Sequence, residues 1–262
     1  MIIDSHCHLD RLDLSSHGGR LENALDLARK NFVEHFLCVC INLENFPKVL
    51  EIANKYKDIS CSAGIHPSEA EGQKITVNEL VKMANDPKVV AIGETGLDYF
   101  HCEGNLEWQR SRFRCHIQAA KIVKKPLIIH MRNASEDVLT ILQEEHAEEV
   151  GGVMHCFTED WSIAQRALDL NFYIAFSGIL TFKKAQILKN TAKLVPIDKI
   201  FIETDSPYLA PVPKRSKANE PAYLHYIAEY LAQLRGISFE DIAAQTTKNF
   251  YRLFGTVKVN RE

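Results

Sequence analysis

Apolar residues in this chain follow two alternating rhythms. Short β-branched or apolar runs read as strands at Ile2–His6, Phe36–Ile41, Ile59–Ile65, Val89–Glu94, Leu127–His130, Gly152–His155, Phe172–Ser177 and Lys199–Asp205. Between them, apolar residues recur at spacings of three and four, as at Leu21, Ala24, Leu25 and Ala28, the period of an amphipathic helix. Such segments include Leu21–Asn31, Phe46–Tyr56, Val77–Asn85, Trp108–Val123, Ser135–Glu145 and Ser162–Leu170. One strand-plus-helix unit per roughly 25–30 residues is the economy of a (β/α)8 barrel of about 250 residues. The expected fold class is therefore α/β, a single (β/α)8 TIM barrel forming one domain over residues 1–262. A doubly wound sheet also alternates, but it usually carries a Gly-rich turn after the first strand. Here that place holds His6-Cys7-His8. After the eighth strand, residues 207–221 contain four prolines and cannot form an ordinary helix. Two closing helices are expected, Pro221–Arg235 and Phe239–Phe254.

Composition narrows the function classes. The 262 residues carry 31 Lys and Arg against 34 Asp and Glu, for a formal net charge of −3. Nonspecific nucleic-acid binding driven by overall charge is excluded, because such binding scales with the phosphates that Lys and Arg neutralise. A nucleic-acid substrate would have to be held by a local patch or by metal ions. No apolar run approaches the roughly 20 residues of a transmembrane helix, and the opening MIIDSHCHLD is charged where an export signal needs an apolar core. Seven Cys without a CxxC pair read as reduced thiols, so a cytoplasmic location is expected. Mixed charge without an apolar face leads to an expected monomer.

The chemistry lies at the strand ends. The first strand ends in His6-Cys7-His8, the fourth in Gly93-Glu94, the fifth in His130, the sixth in His155 and the eighth in Glu203-Thr204-Asp205. Taken singly, each has a plain structural role: an incidental strand-end pair, a satisfied core histidine, a helix N-cap at Asp205 or a solvated loop residue at Glu94. Five such ends together are different, because strand C-termini converge on one face of a barrel. Residues two apart in a strand share a face, so His6 and His8 can grip one cation while Cys7 points away. Four His and two carboxylates suffice for two metal ions with positions left open for water. Cys7 and Cys156 adjoin these residues, but both are expected to face the other side.

These segments resemble the TatD family of metal-dependent hydrolases, a branch of the amidohydrolase-type barrels. The likeness rests on Asp4-Ser5-His6-Cys7-His8-Leu9-Asp10, Gly64-Ile65-His66-Pro67, Gly93-Glu94-Thr95-Gly96-Leu97-Asp98-Tyr99, Pro126-Leu127-Ile128-Ile129-His130, His155-Cys156-Phe157, Ser177-Gly178, Ile202 through Pro211, Asn219-Glu220-Pro221 and Thr247-x-Asn249. It implies that His6, His8 and Asp205 hold one cation, that His130 and His155 hold the second, and that Glu94 bridges them. His66 would face the substrate and contact a phosphate. One departure is Ser216, where members often have Gly after the Arg of this loop.

The implied activity is a deoxyribonuclease, 3′→5′ exonucleolytic on single-stranded DNA or acting in repair. Two divalent ions would activate a water and clamp the attacking and leaving oxygens, with Asp205 accepting the proton. Arg215, Lys217 and Arg132 are candidate phosphate contacts. Lys121, Lys124, Lys125, Arg110, Arg112 and Arg114 read as either a solvated surface or a nucleic-acid patch. Tyr99 and Phe100 could stack on a base, and Asp98 could orient a ligand histidine from behind. The metal stays open among Mg, Mn and Zn: imidazole-rich sites favour Zn, Mn, Fe or Ni, Mg prefers oxygen, and the resemblance implies activity supported by Mg. The same site could instead hydrolyse an ester or amide, such as a D-aminoacyl-tRNA. A catalytically idle binding scaffold is the reading from another class.

Overall fold

The computed structural model describes residues 1–69 and 74–255; the other positions of the expected 1–262 domain lie outside the described residues. Eight strands form a single (β/α)8 TIM barrel: β1 (Ile2–Cys7), β2 (Val33–Cys38), β3 (Ile59–Ala63), β4 (Val89–Asp98), β5 (Leu127–Arg132), β6 (Gly152–Met154), β7 (Phe172–Phe176) and β8 (Ile200–Ile202). The crossovers carry α1 (Leu21–Lys30), α2 (Phe46–Lys55), α3 (Val77–Ala84), α4 (Glu107–Val123), α5 (Ser135–Glu144), α6 (Trp161–Asp169) and α7 (Gln186–Leu194). Two further helices follow β8, α8 (Leu224–Arg235) and α9 (Phe239–Leu253). Consecutive strands pair in parallel from β1 to β8. The ring closes just beyond β8, where the Asp205 N–H donates to the His6 carbonyl at 2.9 Å and the His8 N–H to the Ser206 carbonyl at 2.8 Å. Asp4 secures this seam by accepting from the Thr204 N–H at 2.9 Å and from its hydroxyl at 2.6 Å.

Alternation along each strand builds two apolar layers. Ile3, Leu37, Val90, Ile128, Val153, Tyr173 and Phe201 form one cluster, which fills the barrel. Their neighbours Ile2, Phe36, Cys38, Leu127, Ile129, Ile174 and Ile202 join the layer beneath the helices. α9 begins at a capping box, Ser238 with Asp241, and sends Phe250 and Phe254 against Phe201, with ring centroids 6.2 and 5.9 Å away. Burying each such ring stabilises by about 2–3 kcal/mol. One end of the barrel is thereby plugged with aromatic carbon, and the opposite end is left for polar groups.

Several boundaries differ from the periodicity reading. β2 begins at Val33 and ends at Cys38 rather than spanning 36–41. β4 runs on to Asp98, because residues 95–98 pair with 129–132 of β5 after a register shift between Ile92 and Thr95. Gly96 permits this close approach: at φ +131°, a Cβ there would lie 2.0 Å from the His130 carbonyl oxygen. Glu94 is therefore not a strand end but sits at an irregularity inside β4, which re-aims its side chain. β8 stops earlier than expected, at Ile202, and Asp205 adopts a left-handed backbone with φ +56°. α7 occupies a crossover for which the periodicity singled out no segment; it buries Leu188, Thr191 and Ala192.

α4 buries His116 completely. The Ile65 N–H donates to its Nε2 at 3.0 Å, and its Nδ1 lies 2.8 Å from the Arg112 carbonyl, so Nδ1 carries the proton of a neutral ring. Burial pushes the His116 pKa down from 6.5 to about 4. The unfolded chain binds this proton more readily, so His116 stabilises the fold fully above pH 6.5, and that contribution is lost as the pH falls towards 4. Unfolding free energy is expected to drop through this window, and His116→Gln to reduce the slope by about 1 kcal/mol per pH unit. Urea titrations at stepped pH measure both, and equal slopes in the two proteins would contradict the assignment.

Candidate metal centre

Parallel strands bring their C-terminal ends to one face, and the polar residues of β1, β4, β5, β6 and β8 meet there. The Nε2 atoms of His6 and His8 lie 3.4 Å apart. Asp205 Oδ1 is 3.8 Å from the first and 3.4 Å from the second, completing one group of donor atoms. A second group comprises His66, Glu94 and His130. Glu94 Oε1 lies 3.0 Å from His130 Nδ1 and 3.3 Å from His66 Nε2, while Oε2 lies 3.3 Å from His6 Nε2. One carboxylate thus faces both groups. His155 stacks on His6 with centroids 3.4 Å apart, and its Nε2 sits 3.7 Å from Glu94 Oε1 and 3.9 Å from Asp205 Oδ1.

A further layer orients the rings. Asp98 Oδ2 is 3.1 Å from His130 Nε2, the arrangement expected of it. Glu203 Oε1 lies 2.8 Å from His155 Nδ1 and accepts from the Cys156 N–H at 2.6 Å. His8 Nδ1 is 3.2 Å from the Val39 carbonyl, so Nδ1 holds the proton and the Nε2 lone pair is left for a cation.

Charge in this cluster is tightly matched. Burial raises the Glu94 and Asp205 carboxyl pKa values, but the facing imidazoles outweigh it and hold both below the usual range. Burial depresses His6 and His66. It acts on His155 too, yet Glu203, Glu94 and Asp205 together pull that ring up. Three buried carboxylates draw positive charge inwards, and imidazole nitrogen with carboxylate oxygen is a donor set suited to Zn or Mn. The residues fit a divalent cation.

Above the cluster opens a cavity of about 550 Å3 whose lining includes His66, Arg11, Arg132, Cys156 and Tyr208. Arg132 therefore stands at the mouth. His66, expected outside the metal shell, lies within a donor group. Arg215 and Lys217 are exposed and absent from this lining; the Arg215 guanidinium donates to the Ala210 carbonyl at 3.1 Å and stacks 3.8 Å from the Phe182 ring centroid. The basic residues of α4 are committed elsewhere: Arg110 pairs with Asp137, Arg114 with Glu144 and Glu145, and Lys121 with Glu149. Tyr99 packs inwards, its hydroxyl donating to Asp137.

Cys7 faces the helix layer as expected. Cys156 does not face away: it lines the cavity and joins a donor group with His155 and Asp205. A left-handed backbone at Cys156, φ +44°, breaks the strand alternation on which that expectation rested. Glu203 and Arg11 were missed as site residues. For Glu203 the signal was present, since Glu203 and Asp205 repeat the two-apart spacing of His6 and His8.

Residues 3–255 match the family described as TatD related DNase. The chain belongs to the TatD family. Among TatD relatives, it is 47% identical over 253 residues to a Buchnera aphidicola protein described as an uncharacterized metal-dependent hydrolase, covering 97% of this chain and 96% of that one. It is 34% identical to the 3′-5′ ssDNA/RNA exonuclease TatD of Escherichia fergusonii, covering 85% and 88%. The crystal structure of the TatD homologue YjjV from Escherichia coli superposes with a TM-score of 0.88 at 26% identity, covering 97% and 98%. The protein is thus a metal-dependent hydrolase of the TatD family. Among its described residues, no helix is long and apolar enough to cross a membrane.

Glu203→Gln keeps the shape behind His155 and removes the charge. It is expected to weaken Zn or Mn binding about 10–100-fold with the fold intact. Competition titration against a chromogenic chelator, with circular dichroism alongside, checks this.

Proposed function

We propose that this TatD-family hydrolase is a deoxyribonuclease that cleaves single-stranded DNA from the 3′ end, using two divalent ions. The observation that carries the reading is Glu94, whose two oxygens face separate donor groups, Oε2 towards His6 and Oε1 towards His130, His66 and His155. The 3′-5′ ssDNA/RNA exonuclease named above, at lower identity, supports the same substrate class. His6, His8 and Asp205 would hold one ion, and His130 and His155 the other, with His66 adjoining the second. The ions, when bound, lower the pKa of a water and stabilise charge on the phosphoryl oxygens.

The protein's own groups do the rest. Asp205, held ionised by His155, His8 and His6, accepts the proton of the attacking water at its carboxylate. Asp98 and Glu203 keep the rings of His130 and His155 from rotating. Arg132 and Arg11 stand on the cavity wall where the phosphodiester enters and offset its charge. The seven thiols are all free, which suits the reducing cytoplasm we assign to a monomeric enzyme acting as one barrel domain.

The test is digestion of an end-labelled single-stranded oligonucleotide by protein stripped of metal and reloaded with Mg, Mn or Zn. A ladder shortening from the 3′ end is expected. Glu94→Ala should lower kcat at least about a hundredfold, beyond what residues behind the ligands usually cost. Bound metal without digestion, together with turnover of an ester or of D-aminoacyl-tRNA, would transfer the site to that chemistry.

A further inference from the structure

Phe100, just past β4, leaves 56% of its surface exposed. A single exposed apolar residue carries little information, but three observations single this one out. The Arg132 guanidinium lies 4.8 Å from its ring centroid and has no carboxylate partner among the described residues. Arg215 and Arg235 also lack an acidic partner among them, but each donates to a backbone carbonyl away from the cavity, whereas Arg132 lines it. The loop bearing Phe100 is also locked to the donor cluster. Asp98 Oδ1 accepts from the Phe100 and His101 N–H groups at 3.0 and 2.8 Å, while Oδ2 lies 2.8 Å from His101 Nδ1 and 3.1 Å from His130 Nε2. Phe100 is not itself among the residues lining the cavity, but its neighbours His101 and Arg132 are; Tyr208 lines the same cavity with 48% of its surface exposed and its ring edge-on to His8, centroids 5.9 Å apart.

We propose that Phe100 and Arg132, at the rim of the cavity, form a stacking platform for one base of a single-stranded nucleic acid, with Tyr208 on the cavity wall offering a second aromatic face. The inference rests on the nuclease reading and names how that site selects its substrate. A flat ring with a guanidinium beside it matches the π-face of any base and adds the positive charge a phosphodiester seeks. Stacking of this kind is indifferent to sequence but requires an unpaired base, since a base within a duplex must first be unstacked. Asp98 ties the two tasks together, because one carboxylate sets both the platform loop and the ring of His130.

The experiment compares steady-state kinetics of the metal-loaded protein on an end-labelled single strand and on the same strand with abasic residues at its last two 3′ positions. Phe100→Ala is expected to raise KM for the base-bearing strand about tenfold, and Phe100→Trp to restore it. Phe100→Leu, which keeps apolar bulk but no flat ring, should behave like Phe100→Ala. Abasic residues should raise the wild-type KM by a similar factor and erase the difference between wild type and Phe100→Ala. If Phe100→Ala and Phe100→Leu leave KM unchanged, or if their effects multiply with base removal, the platform is refuted while the nuclease reading stands. If wild type cleaves neither strand yet hydrolyses an ester or amide, the nuclease reading fails and the platform falls with it.

Discussion

The centre is organised around one buried negative charge. Glu94 is only 2% exposed, and an ionised carboxylate so far from water persists only when opposing charge and hydrogen-bond partners surround it. His66 and His130 address one of its oxygens and His6 the other. The second nitrogens of His130 and His66 meet Asp98 and Ser68. His155, beside Glu94, is backed in the same way by Glu203. A single charge is thereby surrounded by two layers of polar residues, contributed from near the C-terminal ends of several strands.

The barrel itself was readable because its signal is repeated. Eight apolar runs at near-regular spacing leave little choice of architecture, and donor residue types at five run ends mark the active face. What escaped the reading depends on contacts between distant segments. The register shift that turns Glu94 inwards needs β5 beside it and Gly96 to permit the approach. The left-handed turns at Cys156 and Asp205 reverse a side-chain direction that strict alternation would assign otherwise. Arg215 lies in a loop whose proline spacing says where the helix cannot be, not which way the guanidinium points, and Phe182 and Ala210 decide that.

Stability and chemistry occupy opposite ends of the barrel. Phe201, Phe250 and Phe254 form an aromatic floor, and the buried imidazole packed against it, His35, is satisfied by Ser60, whereas the mouth concentrates His, Asp and Glu. Arg110, Arg114 and Lys121 on α4 are held in ion pairs that serve the fold locally, so overall charge says little about what the mouth attracts. The few arginines on the cavity wall matter more than the net balance.

The seam between β1 and β8 has a consequence for how the protein is made. Asp4 and Thr204, which clasp that seam, stand 200 residues apart in the chain, and the donors His6 and His8 lie beside the first and Asp205 beside the second. During synthesis the first strand emerges with its two imidazoles long before the ribosome reaches the last. A nascent chain therefore displays only fragments of the centre, and the full donor set comes into being in the same event that closes the ring. The donor group of His6, His8 and Asp205 needs both sides of the seam together.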